Sequence, residues 1–147
     1  MRIIVQRCDK AEVRVKGKTV GKINYGMMLL VSFTYGDTEK EIDYLVNKVL
    51  NLRIFDDENG VMNKSILDIN GEILSISQFT LYANTSKGNR PSYIDALKGE
   101  DAIKLYDMFN EKLKSKIHTE TGVFGAEMKV DFINDGPITI LLEKENK

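Results

Sequence analysis

The first third of the chain alternates apolar and polar residues with a period of two, the pattern of strands that have one wet face. The alternation is strict in Ala11-Glu12-Val13-Arg14-Val15. Residues 2–8, 11–15, 19–23 and 27–34 are predicted strands, separated by turn signals at Asp9-Lys10, Lys16-Gly17-Lys18 and Tyr25-Gly26. Met27-Met28-Leu29-Leu30-Val31 is apolar on both faces and marks a central strand. The period then lengthens. Thr38-Glu39-Lys40-Glu41 has the form of a capping box, and Ile42, Leu45, Val46, Val49 and Leu50 follow at helical spacing.

Asp56-Asp57-Glu58-Asn59-Gly60 is an acidic turn without the ligand spacing or distal glutamate of an EF-hand. A turn at Asn70-Gly71 leads into a strand over 72–81, and the polar, basic stretch 82–93 is a predicted loop. A second helix is predicted over about 99–117, with Ile103, Tyr106, Phe109, Leu113 and Ile117 on one face. Strands over 126–133 and 137–143, joined by a turn at Asp135-Gly136-Pro137, precede a charged tail over 143–147. No repeat, linker or low-complexity stretch divides the chain, so residues 1–147 are expected to form one domain. Strand-rich ends around two long helices predict an α+β fold, an antiparallel or barrel-like sheet with both helices packed on it.

Composition narrows the chemistry. A chain of 147 residues can build a real core, and its longest uncharged apolar run, 27–33, is too short to span a bilayer. The opening enters a strand pattern at once, without signal-peptide character, and Cys8 has no partner cysteine. Both point to a cytoplasmic protein. Lys+Arg 21 against Asp+Glu 22 leaves a net charge of −1, so nucleic acid would be met through a small basic patch, not along many phosphates. With one histidine and one cysteine, no metal-ligand set forms, and neither metal nor cofactor is expected. A Ser-His-Asp arrangement would need His118, which reads as a solvent-facing residue at a helix C-terminus. Cys8 reads as a small buried hydrophobe.

Two strings carry candidate chemistry. Ser77-Gln78-Phe79-Thr80-Leu81 is either a half-exposed strand end or a pocket mouth lined by Ser77, Gln78, Thr80 and adjacent backbone amides. Thr80 has no visible base to activate it as a nucleophile. Asn134-Asp135-Gly136-Pro137-Ile138-Thr139 opens the last apolar strand, and its Gly-Pro bond has a general cis frequency of only about 5–6%.

Together these strings resemble the two signature motifs of the D-aminoacyl-tRNA deacylase family. The resemblance extends to Met1-Arg2-Ile3-Ile4-Val5-Gln6-Arg7, to Gly88-x-Arg90-Pro91-Ser92-Tyr93, and to Thr121-Gly122-x-Phe124-Gly125-Ala126-x-Met128-x-Val130, so that it covers nearly the whole chain. Cys8 and Tyr93 stand where members often have Val and Phe. The resemblance implies a hydrolase for the ester joining a D-amino acid, or glycine, to the 3′-terminal adenosine of tRNA. Ser77, Gln78, Phe79 and Thr80 would form the catalytic strand end, with backbone N–H groups near Phe79 and Thr80 as oxyanion donors and the ribose 2′-OH assisting attack. It further implies a homodimer with the active site at the interface. There a cis Gly136-Pro137 peptide from one subunit, oriented by Arg7 and accompanied by Met128, would exclude L-residues from the partner's pocket. Lys87 and Arg90 fit equally a solvated loop and a patch for acceptor-end phosphates. The expected partners are a second copy of the chain and the aminoacylated tRNA 3′ end, with no membrane and no DNA.

Three alternatives stand beside this reading: a deacylase that mainly clears glycine or another mischarged residue, a nucleic-acid-binding module without hydrolysis, and a purely structural dimer.

Overall fold

In the computed structural model, which describes residues 1–146, the apolar alternation builds a six-stranded, barrel-like mixed sheet with two helices packed against it. The elements run β1 (Arg2–Val15), β2 (Lys18–Ile23), β3 (Gly26–Ser32), α1 (Glu39–Asn51), β4 (Phe55–Asp56), β5 (Met62–Lys64), β6 (Glu72–Ser77), a 3-10 turn (Phe79–Tyr82), α2 (Gly99–Lys114), β7 (Thr119–Thr121) and β8 (Lys129–Glu143). The main sheet has the order β2-β1-β3-β6-β7, and β8 lies on the other edge of β1. Pairings of β6 with β3 and β7 are parallel, and those of β1 are antiparallel. The last residue of the expected charged tail, Lys147, lies outside the described residues.

The turn expected at Asp9-Lys10 is absent, because β1 changes partners there without reversing. Residues 2–8 pair with β3 and residues 11–15 with β2, while β8 follows both halves on the opposite edge. The inward side changes at the same point. Ile3 and Val5 pack with Met27, Leu29 and Val31 under the helices, whereas Cys8, Ala11 and Val13 join Ile23, Met28, Leu74 and Ile76 in a second cluster.

The strands expected over 126–133 and 137–143 form one strand, β8, and no turn separates them. Gln6 pairs with Thr139 and Cys8 with Asn134, so β8 takes five steps where β1 takes two. The surplus protrudes as a bulge carrying Asp135, Gly136 and Pro137.

The helices follow their local signals. Thr38 caps α1, accepting from the Lys40 N–H, while the Glu41 carboxylate accepts from the Thr38 N–H at 2.7 Å. In α2 the buried stripe is Ala102, Tyr106, Phe109, Asn110 and Leu113, and Ile103 is turned outward instead. The helix ends at Lys114, short of the expected 117, with the Ser115 N–H donating to Glu111 O. His118 therefore lies beyond the helix, 3.4 Å from a Glu120 oxygen. The three-residue β7 escaped the sequence reading because Thr-Glu-Thr shows no apolar pattern. Among the described residues no helix is long and apolar enough to cross a membrane.

Two close approaches position the site. Gly26 lets β3 pass against β6 at Glu72, where a Cβ would land on the Glu72 carbonyl oxygen. The Tyr106 hydroxyl donates to Ser75 O at 2.8 Å, tying α2 to the middle of β6.

Cys8 is fully buried, and burial, helped by the Asp9 carboxylate, pushes its thiol up to about 12. The folded chain thus keeps the proton where the unfolded chain has lost it. Stability is expected to be unaffected by this group below pH ~9 and to fall as pH rises from there toward 12. Native protein should resist thiol reagents at pH 8, and denaturation midpoints between pH 8 and 11 should decline in wild type more steeply than in Cys8→Ala.

Candidate active site

Strand β6 delivers the first motif to the rim of a cavity of about 380 Å³. Its end supplies Ser77, Gln78 and Phe79, the segment leading into α2 supplies Leu97 and Lys98, and the approach to β8 supplies Phe124 and Met128. The expected strand over 72–81 stops at Ser77. The Gln78 N–H makes a last link to Val31 O at 2.8 Å, and the backbone then turns, with the Leu81 N–H on Gln78 O at 3.2 Å. A 3-10 turn leaves its leading N–H groups, here those of Phe79 and Thr80, without acceptors inside the turn. The Ser32 hydroxyl donates to Phe79 O from beneath at 3.4 Å.

Thr80 is half-buried, and its hydroxyl accepts from the Gln78 side-chain amide at 2.6 Å. No imidazole stands by it, since the chain's one histidine pairs with Glu120. The site therefore offers amides, hydroxyls and apolar walls, not an acid–base pair. Met128 is seated by Gly122, where a Cβ would lie 2.6 Å from the Met128 sulfur. Phe124 is braced from behind by Tyr106, at 5.8 Å between ring centroids.

The second motif forms a separate cluster. The nearly buried Arg7 guanidinium lies 3.0 Å from Asp135 Oδ2, donates to Ile54 O at 2.8 Å and reaches Asp56 at 3.5 Å. The Tyr25 hydroxyl donates to the same Asp135 carboxylate at 3.1 Å. Within the bulge, Asn134 Oδ1 accepts from the Ile138 N–H at 3.1 Å. The Gly136-Pro137 peptide is cis, Gly136 has φ +124°, and both residues are exposed. They do not line the cavity of their own chain.

Lys87 and Arg90 border a separate depression of about 280 Å³ with Asn84, Asn89 and Ser92. The structure thus brings Ser77, Gln78, Phe79 and Met128 to one cavity with Thr80 beside it, Arg7, Gly136 and Pro137 to a second place, and Lys87 and Arg90 to a third. Sequence reasoning missed Ser32, Tyr25, Leu97 and Lys98. None lies in a motif, and only the fold brings them to these places. Among the described residues no group of three or more His, Cys, Asp or Glu could hold a metal ion.

A family model described as D-Tyr-tRNA(Tyr) deacylase matches residues 4–143. A protein named D-aminoacyl-tRNA deacylase from Bacillus cereus (strain B4264) is 52% identical over 146 residues, covering 99% of this chain and 100% of its own. One of the same name from Bacillus thuringiensis (strain Al Hakam) is 51% identical with the same coverage. A solved structure described as c-Myc DNA Unwinding Element Binding Protein superposes with a TM-score of 0.94 at 41% identity, over 99% of this chain and 100% of that one. Another, described as a probable eukaryotic D-amino acid tRNA deacylase, gives a TM-score of 0.82 at 18% identity over 96% and 97%, a likeness of fold alone.

Proposed function

Because the chain belongs to the D-Tyr-tRNA(Tyr) deacylase family, we propose that this hydrolase cleaves the ester joining a D-amino acid to the 3′-terminal adenosine of tRNA and spares the L-ester. Water adds to the ester carbonyl, the bond to the ribose oxygen breaks, and that oxygen takes up a proton. The products are the free D-amino acid and tRNA with its terminal hydroxyl restored. The observation that carries this reading is the cavity itself, in which the Ser77-Gln78-Phe79 strand end faces Met128 and no acid–base pair is present. Such a site suits an ester already activated as an acyl donor. The N–H groups of Phe79 and Thr80 would hold the oxyanion, and the ribose 2′-OH would assist the attack.

Chirality is read by exclusion. The bulge with Gly136 and Pro137 enters the cavity of a second protomer and occupies the space an L-side chain would need, while a D-side chain points away. Glycine, which has no Cβ, passes the same filter and is cleaved. Three features support this. The bulge protrudes and is exposed, it is oriented by Arg7 through Asp135, and β8 pairs only with β1 among the described residues. Its open edge, with Ile133 and Leu141 exposed, fits a surface covered by another copy. A cytoplasmic address follows from the tRNA substrate. Lys87 and Arg90 would meet the acceptor strand.

The deciding experiment is hydrolysis of D-tyrosyl-, L-tyrosyl- and glycyl-tRNA by the purified protein. Rapid loss of the D- and glycyl esters with the L-ester intact is expected. Equal loss of both tyrosyl esters would remove the gate, and loss of none would leave the DNA-binding alternative, suggested by the name of the 41% identical structure, to be tested by duplex binding. Thr80→Ala is expected to keep kcat within about tenfold of wild type. The backbone amides remain, whereas removing one oxyanion donor costs about 10²–10³. A rate loss beyond 10³ in folded Thr80→Ala would show that the hydroxyl itself takes part.

A further inference from the structure

Lys98 is the one charged residue among those lining the cavity. Its ammonium lies 5.5 Å from the centroid of the Phe79 ring and 5.9 Å from that of Tyr93. These two rings meet edge to face at 5.1 Å, so the cation sits over an aromatic pair of which Phe79 lines the cavity and Tyr93 stands behind it. Among the described residues no carboxylate comes within ion-pair distance of it, although Glu100 and Asp101 are close in sequence. A cation without an ionic partner, steered by two rings to the rim of an otherwise uncharged cavity, is arranged to meet an anion that arrives with the substrate.

We propose that Lys98 is the contact for the phosphodiester of the substrate's terminal nucleotide. This rests on the deacylase reading. There the ester occupies the cavity beside Phe79, and the first negative charge of the polynucleotide lies only one ribose away. Lys98 thereby makes the site selective for aminoacylated polynucleotides over simple aminoacyl esters. Lys87 and Arg90, which border another depression, would act further along the strand. The aromatic pair restricts the lysine stem before binding, so less side-chain freedom is lost when the ion pair forms.

The test compares D-tyrosyl-tRNA with D-tyrosyl-adenosine, an ester that has the terminal nucleoside and no phosphodiester. For Lys98→Ala, KM toward the tRNA ester should rise about two- to fivefold, as expected for one exposed ion pair, with kcat within twofold. The slope of log KM against log salt should flatten by about 0.7, Lys98→Arg should restore KM, and the nucleoside ester should show no comparable rise. An equal loss on both esters would overturn the proposal, since Lys98 would then merely support Phe79, and so would an unchanged KM on both. If wild type cleaves neither ester, the deacylase reading fails separately. Anisotropy titration of uncharged tRNA still decides about Lys98: weaker, less salt-dependent binding by Lys98→Ala supports the contact, and identical curves refute it.

Discussion

Gly26→Ala is expected to leave little folded protein. The added methyl would fall on the Glu72 carbonyl oxygen and 2.7 Å from the Glu72 nitrogen. These are main-chain atoms of a paired strand, with no side chain that could swing away. Glu72 is further fixed, its N–H on Tyr25 O at 3.1 Å and its carboxylate accepting the Asn24 N–H. The only relief is to spread β3 from β6, which breaks a parallel pairing that runs from Gly26–Glu72 to Val31–Ser77. The loss should exceed about 4 kcal/mol, in the range of severe backbone and overpacking substitutions. For a chain of this size the melting temperature should fall by about 10 °C or more. Thermal unfolding followed by circular dichroism checks this, and a midpoint within about 3 °C of wild type would mean the strands can separate at little cost. Because β6 ends at Ser77, any molecules that do fold should also be poor catalysts.

Gly136→Ala should have the opposite profile, a stable protein with a damaged filter. Gly136 holds φ +124°, a region closed to side-chain-bearing residues, and a Cβ would stand 2.8 Å from Ile138 Cγ1 and 3.1 Å from Ile138 N. The Ile138 nitrogen cannot give way freely, because its N–H is held by Asn134. The strain is of order 1–3 kcal/mol and falls on an exposed bulge, so the sheet should survive. The bulge should shift by a fraction of an ångström or more, and displacements near 1 Å at a reacting centre cost about 10²-fold. The ratio of D- to L-tyrosyl-tRNA hydrolysis is therefore expected to fall about 10²-fold, with the melting temperature lowered by only a few degrees. An unaltered ratio in the folded variant would show that the bulge does not set chirality.

Much of this architecture was legible in the residue pattern. The capping box at Thr38, the buried stripe of α1 and the apolar β3 each follow from a local rule, and each is found in place. What escaped was the behaviour of long strands. Asp9-Lys10 and Asp135-Gly136-Pro137 have the residues of turns, yet β8 follows β1 on both sides of each place, so the chain bends or bulges without reversing, even where β1 exchanges β3 for β2 on its other edge. Ladder pairing over a whole sheet outweighs a two- or three-residue turn preference. The site divided in the same way. Ser77, Gln78, Phe79 and Met128 share a cavity, but nothing in a string of letters brings Lys98 over Phe79 and Tyr93, or Tyr25 onto Asp135. Those contacts join segments far apart in sequence or lying between recognisable motifs.

The bulge of β8 is anchored at both ends by the same strand, through Gln6–Thr139 on one side and Cys8–Asn134 on the other. A loop whose ends are already fixed so close together has little freedom left to surrender. Its shape is therefore set before any partner arrives, and an encounter that uses it pays almost nothing for ordering. The clamped ends also separate its chemistry from the stability of the sheet.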